Sequence, residues 1–214
     1  MTIPAASAAP RPSRHLTSAR TTGLVGFGFV VLLLVSAGMA SVPTRADSAE
    51  IVRGYYTEHT AIVVVAQLIG LGAAVAFGVF ARGLDSATGR PGRKLWVAGT
   101  GVAVAAVFTA IPPLWLCAVA GEASNASLHT LVVASDVTDV ALFLAIAALA
   151  SCVALTGATW LRVLALVTAL ISLVHAVLLI AGTSPLEAVA PLAFIALVVA
   201  LSVVALREPA ARTG

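Results

Sequence analysis

Residues 130–154, TLVVASDVTDVALFLAIAALASCVA, decide how the chain is read. They are an apolar run interrupted near its start by two carboxylates, Asp136 and Asp139. About 20 apolar residues of helix cross a hydrocarbon core, so the run is long enough to span a bilayer. Five more stretches of similar length lie at 22–40, 61–81, 95–119, 159–181 and 188–206. Across 214 residues, 60% are hydrophobic and 10% charged, and the mean hydropathy is +1.08. Soluble domains are nearer half apolar and a quarter charged. The fold class that follows is all-α, a polytopic transmembrane bundle of six spans over 22–207. Six spans use ~120 residues, which leaves no room for a separate soluble catalytic or nucleic-acid-binding domain.

Helices are required because lipid offers backbone groups no partners. A β-barrel would alternate polar and apolar residues. Runs such as Ile62-Val63-Val64-Val65 and Leu197-Val198-Val199-Ala200-Leu201 do not alternate.

Basic residues set the expected orientation. Arg11, Arg14, Arg20, Arg82, Arg90, Arg93, Lys94, Arg162, Arg207 and Arg212 all fall on one side, ten of the twelve Lys and Arg. The other side carries Arg45 and Arg53 against Asp47, Glu50, Glu58, Glu122 and Glu187. The positive-inside rule then places both termini in the cytoplasm of a multi-pass plasma-membrane protein. Trp96 and Trp160 mark inner boundaries, and Trp115, Tyr55 and Tyr56 outer ones, as an aromatic belt requires. The expected partner is the lipid bilayer, with a membrane-protein partner or a homo-oligomer left open. Nucleic acid is excluded, because the basic residues form no aromatic-interleaved patch.

Residues 1–21, rich in Ala, Pro, Ser and Arg, read as a disordered cytoplasmic tail, and 208–214 as a second one. The run Gly23–Ala40 exceeds the 7–15 residues of a signal-peptide core, so span one is read as retained. In the connector 41–60, Asp47-Ser48-Ala49-Glu50 fits a capping box opening a short helix. Residues 82–94, with Gly83, Gly89, Pro91 and Gly92, read as a basic loop. Gly70, Ala74 and Gly78 recur every four residues, which suits close helix packing inside the bundle, and Gly26-Phe27-Gly28 reads the same way. Cys117 and Cys152 fall near opposite ends of their spans, beyond the ~7 Å limit of a disulfide.

The chemistry lies in polar residues inside spans. Asp136 and Asp139 share one helical face, which His129 extends outward. Thr168, Ser172 and His175 line one face of span five, Gln67 lies in span two, and Pro112-Pro113 free the carbonyls of Phe108 and Thr109 and kink span three. Counted from the outer end of each span, Gln67, Pro112, Asp136 and His175 fall ~10 Å deep, at one expected level. An ionised Asp at a helix centre costs roughly 2.5–3.5 kcal/mol, so both carboxylates call for a partner, a proton or water. One reading is a pocket open to the outside, with Asp136 and His175 as an acid-base or ion-binding pair. The other is a hydrogen-bonded packing cluster in which Asp139 keeps its proton.

His59, His129, Asp136 and His175 are the metal-ligand candidates, but no HxxxH, HExxH or CxxC spacing fixes two on one element. A haem pair is equally undefined, and the cofactor is left open. No nucleophile-base, GxGxxG or Walker motif is present, so no catalytic residue is assigned.

The segment Tyr55-Tyr56-Thr57-Glu58-His59, the span end Phe77-Gly78-Val79-Phe80-Ala81-Arg82 and the junction Trp160-Leu161-Arg162 resemble a large group of bacterial six-span membrane proteins defined by a domain of unknown function. The resemblance covers about residues 22–207, and the junction lacks the group's fuller Leu-Pro-Arg-Trp-Leu-Gly form. It implies a six-helix bundle and carries over no functional residue. Two functions stand open. One is ion or small-molecule handling through the outer polar layer of Asp136, Asp139, His175, Gln67, Ser172 and His129. The alternative is a non-catalytic accessory subunit.

Overall fold

Backbone groups that find no partner in lipid must bond within their own segment, and the chain meets this with helices throughout. The computed structural model describes residues 19–39, 42–87, 93–183 and 185–207. Among the described residues there are no strands and eight helices. They are α1 (Ala19–Met39), α2 (Ala49–Glu58), α3 (Thr60–Ala87), α4 (Arg93–Thr109), α5 (Ile111–Val119), α6 (Asn125–Thr156), α7 (Thr159–Ala181) and α8 (Val189–Arg207). With α4 and α5 taken together, six segments are long and apolar enough to cross a membrane.

The spans form a ring in chain order. α1 packs on α3, α3 on α4, α4 on α6, α6 on α7 and α7 on α8, and α8 returns to α1. Helix α2 lies over one end of this ring, touching α3, α5 and α6. That end is called the α2 end, and the opposite one the terminal end.

Lipid is as apolar as Leu, so helices associate through close packing rather than through the hydrophobic effect. The sorting of residues follows. Large aliphatics such as Leu24, Val75, Val163, Leu170, Val177, Ile180 and Leu192 face outward, while Ala73, Ala81, Ala150, Ala165, Ala176 and Ala190 are buried. A Cβ on Gly26 would come within 2.1 Å of Ser202 Oγ and 2.6 Å of Phe80. Only glycine lets α1 approach α8 and α3 this closely. In the second span, Gly70 faces Ser36 of α1 and Gly78 faces Ala103 of α4, so these small residues serve contacts within the bundle. Phe29, Phe77 and Phe194 fill the ring, with centroids 4.9, 5.5 and 5.9 Å apart, and Phe80 continues the cluster 6.0 Å from Phe77.

Several element ends differ from expectation. Ala19, Arg20 and Thr21 already belong to α1, whereas 1–18 and 208–214 lie outside the described residues. Gly83 is helical and packs on Thr22, so α3 extends well into the expected loop. The loop residues Gly89, Pro91 and Gly92 lie outside the described residues. The cap of α2 is Ser48 rather than Asp47, its hydroxyl accepting from the Ile51 amide at 3.4 Å. Asp47 instead turns back, and its carboxylate accepts from the Thr44 amide at 2.7 Å and hydroxyl at 3.0 Å. Ser124 likewise caps α6, accepting from the Ser127 amide at 3.2 Å, and starts that helix five residues before 130.

The prolines split span three into α4 and α5 because neither ring can donate to the helix ladder. The Ala110 amide bonds the Val107 carbonyl at 3.3 Å instead, and the Thr109 hydroxyl takes the Ala106 carbonyl at 2.9 Å. Cys117 and Cys152 are both free.

Candidate functional site

Buried apolar residues form two clusters rather than one. The larger fills the ring and includes Ala73, Phe77, Val102, Phe143, Ala150, Ala176 and Phe194. The smaller lies beneath α2 and comprises Val52, Tyr56, Val63, Leu116, Ala120, Leu128 and Val132. The residues that separate them along each helix are the sequence's polar or broken positions. On α3 Gln67 lies between Val63 and Ala73, and on α6 Asp136 and Asp139 lie between Val132 and Phe143. Thr109, Pro112 and Pro113 lie between Val102 and Leu116. A polar seam therefore crosses α3, the α4–α5 break and α6.

One charged partner in this seam was missed by sequence reasoning, which assigned Asp136 no cation. Arg45, from the connector before α2, places Nε 3.3 Å from Asp136 Oδ2, with the two side chains 28% and 24% exposed. Its Nη2 donates to the Leu179 carbonyl in the last turn of α7. Gly182 ends that helix with φ +88°, and a Cβ there would lie 2.9 Å from Arg45 Nη2. Glycine thus supplies both the left-handed turn and the space for the guanidinium.

Arg53 plays the same part at the other helix that ends here. It donates to the carbonyls of Ala120 at 2.6 Å and Ala123 at 2.7 Å, and to Asn125 Oδ1 at 3.1 Å, around the end of α5. The C-terminal end of a helix carries partial negative charge and unpaired carbonyls, so a cation there is stabilising. The two arginines that stand against the charge bias of the sequence are thus both helix caps.

The contact between α6 and α7 corrects the expected common depth. The His175 ring meets Phe143 edge-on, with centroids 4.4 Å apart. The helices are antiparallel, so Asp136, seven residues before Phe143, stands level with Gly182, as the shared contact with Arg45 requires. Asp136 is therefore at the rim of α7, and His175 lies about 10 Å deeper. The two do not form a direct acid-base pair. The earlier count failed because each depth was measured from its own helix end, and those ends are not level.

Asp139 is half-buried and makes no hydrogen bond or ion pair among the described residues. Ser172 and His175 are 0% and 3% exposed, and Ser172 Oγ and His175 Nδ1 find no partner among the described residues. One turn below Ser172, Thr168 is fully satisfied, its hydroxyl directed at the Leu164 carbonyl at 2.9 Å and the Ala193 carbonyl of α8 at 3.3 Å. Gln67 is half-buried in the seam on α3.

His59 and His129 remain at the α2 end. His59 is exposed and stacks on Tyr55 with centroids 4.9 Å apart. His129 lines a pocket of about 40 Å³ with Thr44, Arg45, Asp47, Ala49, Val52 and Val132. That volume suits water or a bare ion and is far below the ~300 Å³ of organic-ligand sites. The four metal-ligand candidates do not converge: among the described residues, no three of His, Cys, Asp and Glu are grouped to hold a metal. Beside the pocket, burial first and the Cys117 thiol second push the Tyr55 and Tyr56 phenols above their ordinary value.

No family model, curated protein or solved structure matches this chain.

Proposed function

We propose that this multi-pass membrane protein handles an ion through the seam, with the α2 end facing outward and both termini in the cytoplasm. The observation that carries the proposal is Asp139, a carboxylate within a span that has no partner among the described residues. Such a group needs a counter-charge, a proton or water. The small pocket above it favours an ion over an organic solute, and the filled aromatic centre favours a site reached from one side. The charge bias of the sequence supports the orientation. Membership of the six-span bacterial group belongs to the same proposal.

The test is the stability of the purified protein in lipid nanodiscs across pH and across Na+ and K+ concentration. Wild type should respond to one of these, and Asp139→Asn should lose that response while remaining folded. Identical behaviour of the two proteins refutes the proposal.

The accessory-subunit reading is favoured by one specific observation, the pairing of Asp136 with Arg45. It requires Asp136→Asn and Asp139→Asn to lower stability with no ion-dependent difference.

A further inference from the structure

We propose that the seam continues inward as a file of waters along the α6–α7 contact, ending at Ser172, through which Asp139 and His175 exchange protons with the α2 face. The proposal rests on the ion-handling reading above and names its ion.

The spacing of the polar groups is the first argument. With Asp136 level with Gly182, Asp139 is three residues deeper, His175 seven, Ser172 ten and Thr168 fourteen. At the helical rise these depths are about 4.5, 10.5, 15 and 21 Å. Successive groups thus step inward by about one helical turn, 4.5–6 Å, close to what one water with two hydrogen bonds of ~2.8 Å spans. The same spacing argues against a metal cation, and among the described residues no three of His, Cys, Asp and Glu are grouped to hold one. Relay fits the geometry, and chelation does not.

Each group has the chemistry a relay needs. A carboxyl takes up and releases a proton, and a hydroxyl donates and accepts at once. An imidazole that gains a proton at one ring nitrogen releases the one held at the other, so the ring returns to neutrality. Ser172 Oγ and His175 Nδ1 are buried and unpartnered among the described residues, and buried polar atoms of this kind are normally satisfied by water.

Both ends of the file are defined. Below, Thr168 spends its hydroxyl proton on backbone carbonyls, and it stands beside Ala193, next to Phe194 of the aromatic cluster. Ala165, one turn further, is fully buried and apolar. Above, Arg45 spans the mouth from Asp136 to the Leu179 carbonyl. The remaining polar contacts of the connector, Thr44 with Asp47 and Ser48 with Ile51, are internal to it or to α2. Among the described residues before α2, Arg45 is thus the polar attachment to the bundle. The charged or titratable groups around the path are Asp136, Asp139 and His129 on α6, His175 on α7, Arg45 and Asp47 on the connector, and Glu187 before α8.

The experiment uses the full chain in liposomes with Cys117→Ala and Cys152→Ala. Silver ion follows water and bonds a thiolate, releasing one proton per thiol. Ser172→Cys should react from the α2 side at least about tenfold faster than Ala165→Cys. Adding Arg45→Ala should accelerate Ser172→Cys about tenfold further, as loss of a charge-assisted hydrogen bond allows, and leave Ala165→Cys unchanged. A Ser172→Cys rate no greater than that of Ala165→Cys overturns the file. A second measurement needs no cysteine: magnetisation transfer from water to the His175 ring in ¹⁵N-histidine protein, assigned by difference from His175→Gln. A dry His175 overturns the file even where the Asp139-dependent ion response is present, so the two readings fail separately.

Discussion

Removing the Arg45 side chain should unhook the connector from two helices at once. Its ion pair with Asp136 is 3.3 Å long with both side chains about a quarter exposed, so solvent screens much of the attraction. About 1 kcal/mol is the fitting magnitude for such a pair. The bond to the Leu179 carbonyl is charge-assisted and lies at the negative end of α7, which adds about 1.5 kcal/mol. Arg45→Ala should therefore cost about 2.5 kcal/mol and Asp136→Ala about 1 kcal/mol. The double variant should lie near the Arg45 single, which makes the coupling about 1 kcal/mol. Unfolding in mixed detergent micelles, followed by far-UV circular dichroism, measures all four corners of the cycle. At 1 M salt, where the Debye length is ~3 Å, the coupling should fall while the carbonyl contribution persists. A coupling indistinguishable from zero, or Asp136→Ala as costly as Arg45→Ala, refutes the account of Arg45 as both ion pair and helix cap.

Gly182→Ala should destabilise the protein by about 1–2 kcal/mol, because alanine resists φ +88° and its Cβ crowds Arg45. The same unfolding assay reads it, and a neutral result would place the guanidinium elsewhere. Gly26→Ala should cost about 2–3 kcal/mol by wedging α1 away from Ser202 and the buried Phe80. Gly28→Ala, with nothing within 4 Å of the new Cβ, should be neutral or stabilising, and equal effects at the two positions would refute the packing argument. Burial holds Tyr56 and Tyr55 protonated beyond the range where the unfolded chain ionises. The native state then binds more protons above pH ~10, so stability should fall as pH rises through that value. Tyr56→Phe should flatten the fall, as read from detergent unfolding at pH 9 to 11.

The six spans were legible because a bilayer imposes length and composition on every crossing segment. Which face of each helix turns inward was not. In α3 Leu68, Val75 and Val79 are exposed and Ala66, Ala73 and Ala74 buried, so both faces are apolar and differ mainly in size, whereas in α7 Thr168, Ser172 and His175 marked the buried face. The polar seam was partly visible as Gln67, Pro112, Asp136 and Asp139, since each interrupts an apolar run. The level of His175 was not visible, because the register of one helix against another depends on side-chain contacts such as Phe143 with His175. Arg45 was hidden for a different reason. A long side chain on a connector follows no period, and its target is set by where α6 and α7 end in space. The one available signal was that Arg45 and Arg53 opposed the charge bias of the other ten basic residues. A cation retained on the unfavoured side has a local task, and here each caps a helix.

The closure of the ring has a consequence for biosynthesis. Gly23 and Gly26 of the first span are fitted to Ser202 and Leu206 of the last, with Phe29 reaching Phe194. Every other neighbouring pair is adjacent in the chain and can dock as it leaves the ribosome. The α1–α8 wall must wait until α8 has been synthesised, so an open, crescent-shaped intermediate precedes the closed ring. During that interval the glycine face of α1 is exposed to whatever occupies the insertion site, a lipid or a chaperone, until α8 displaces it.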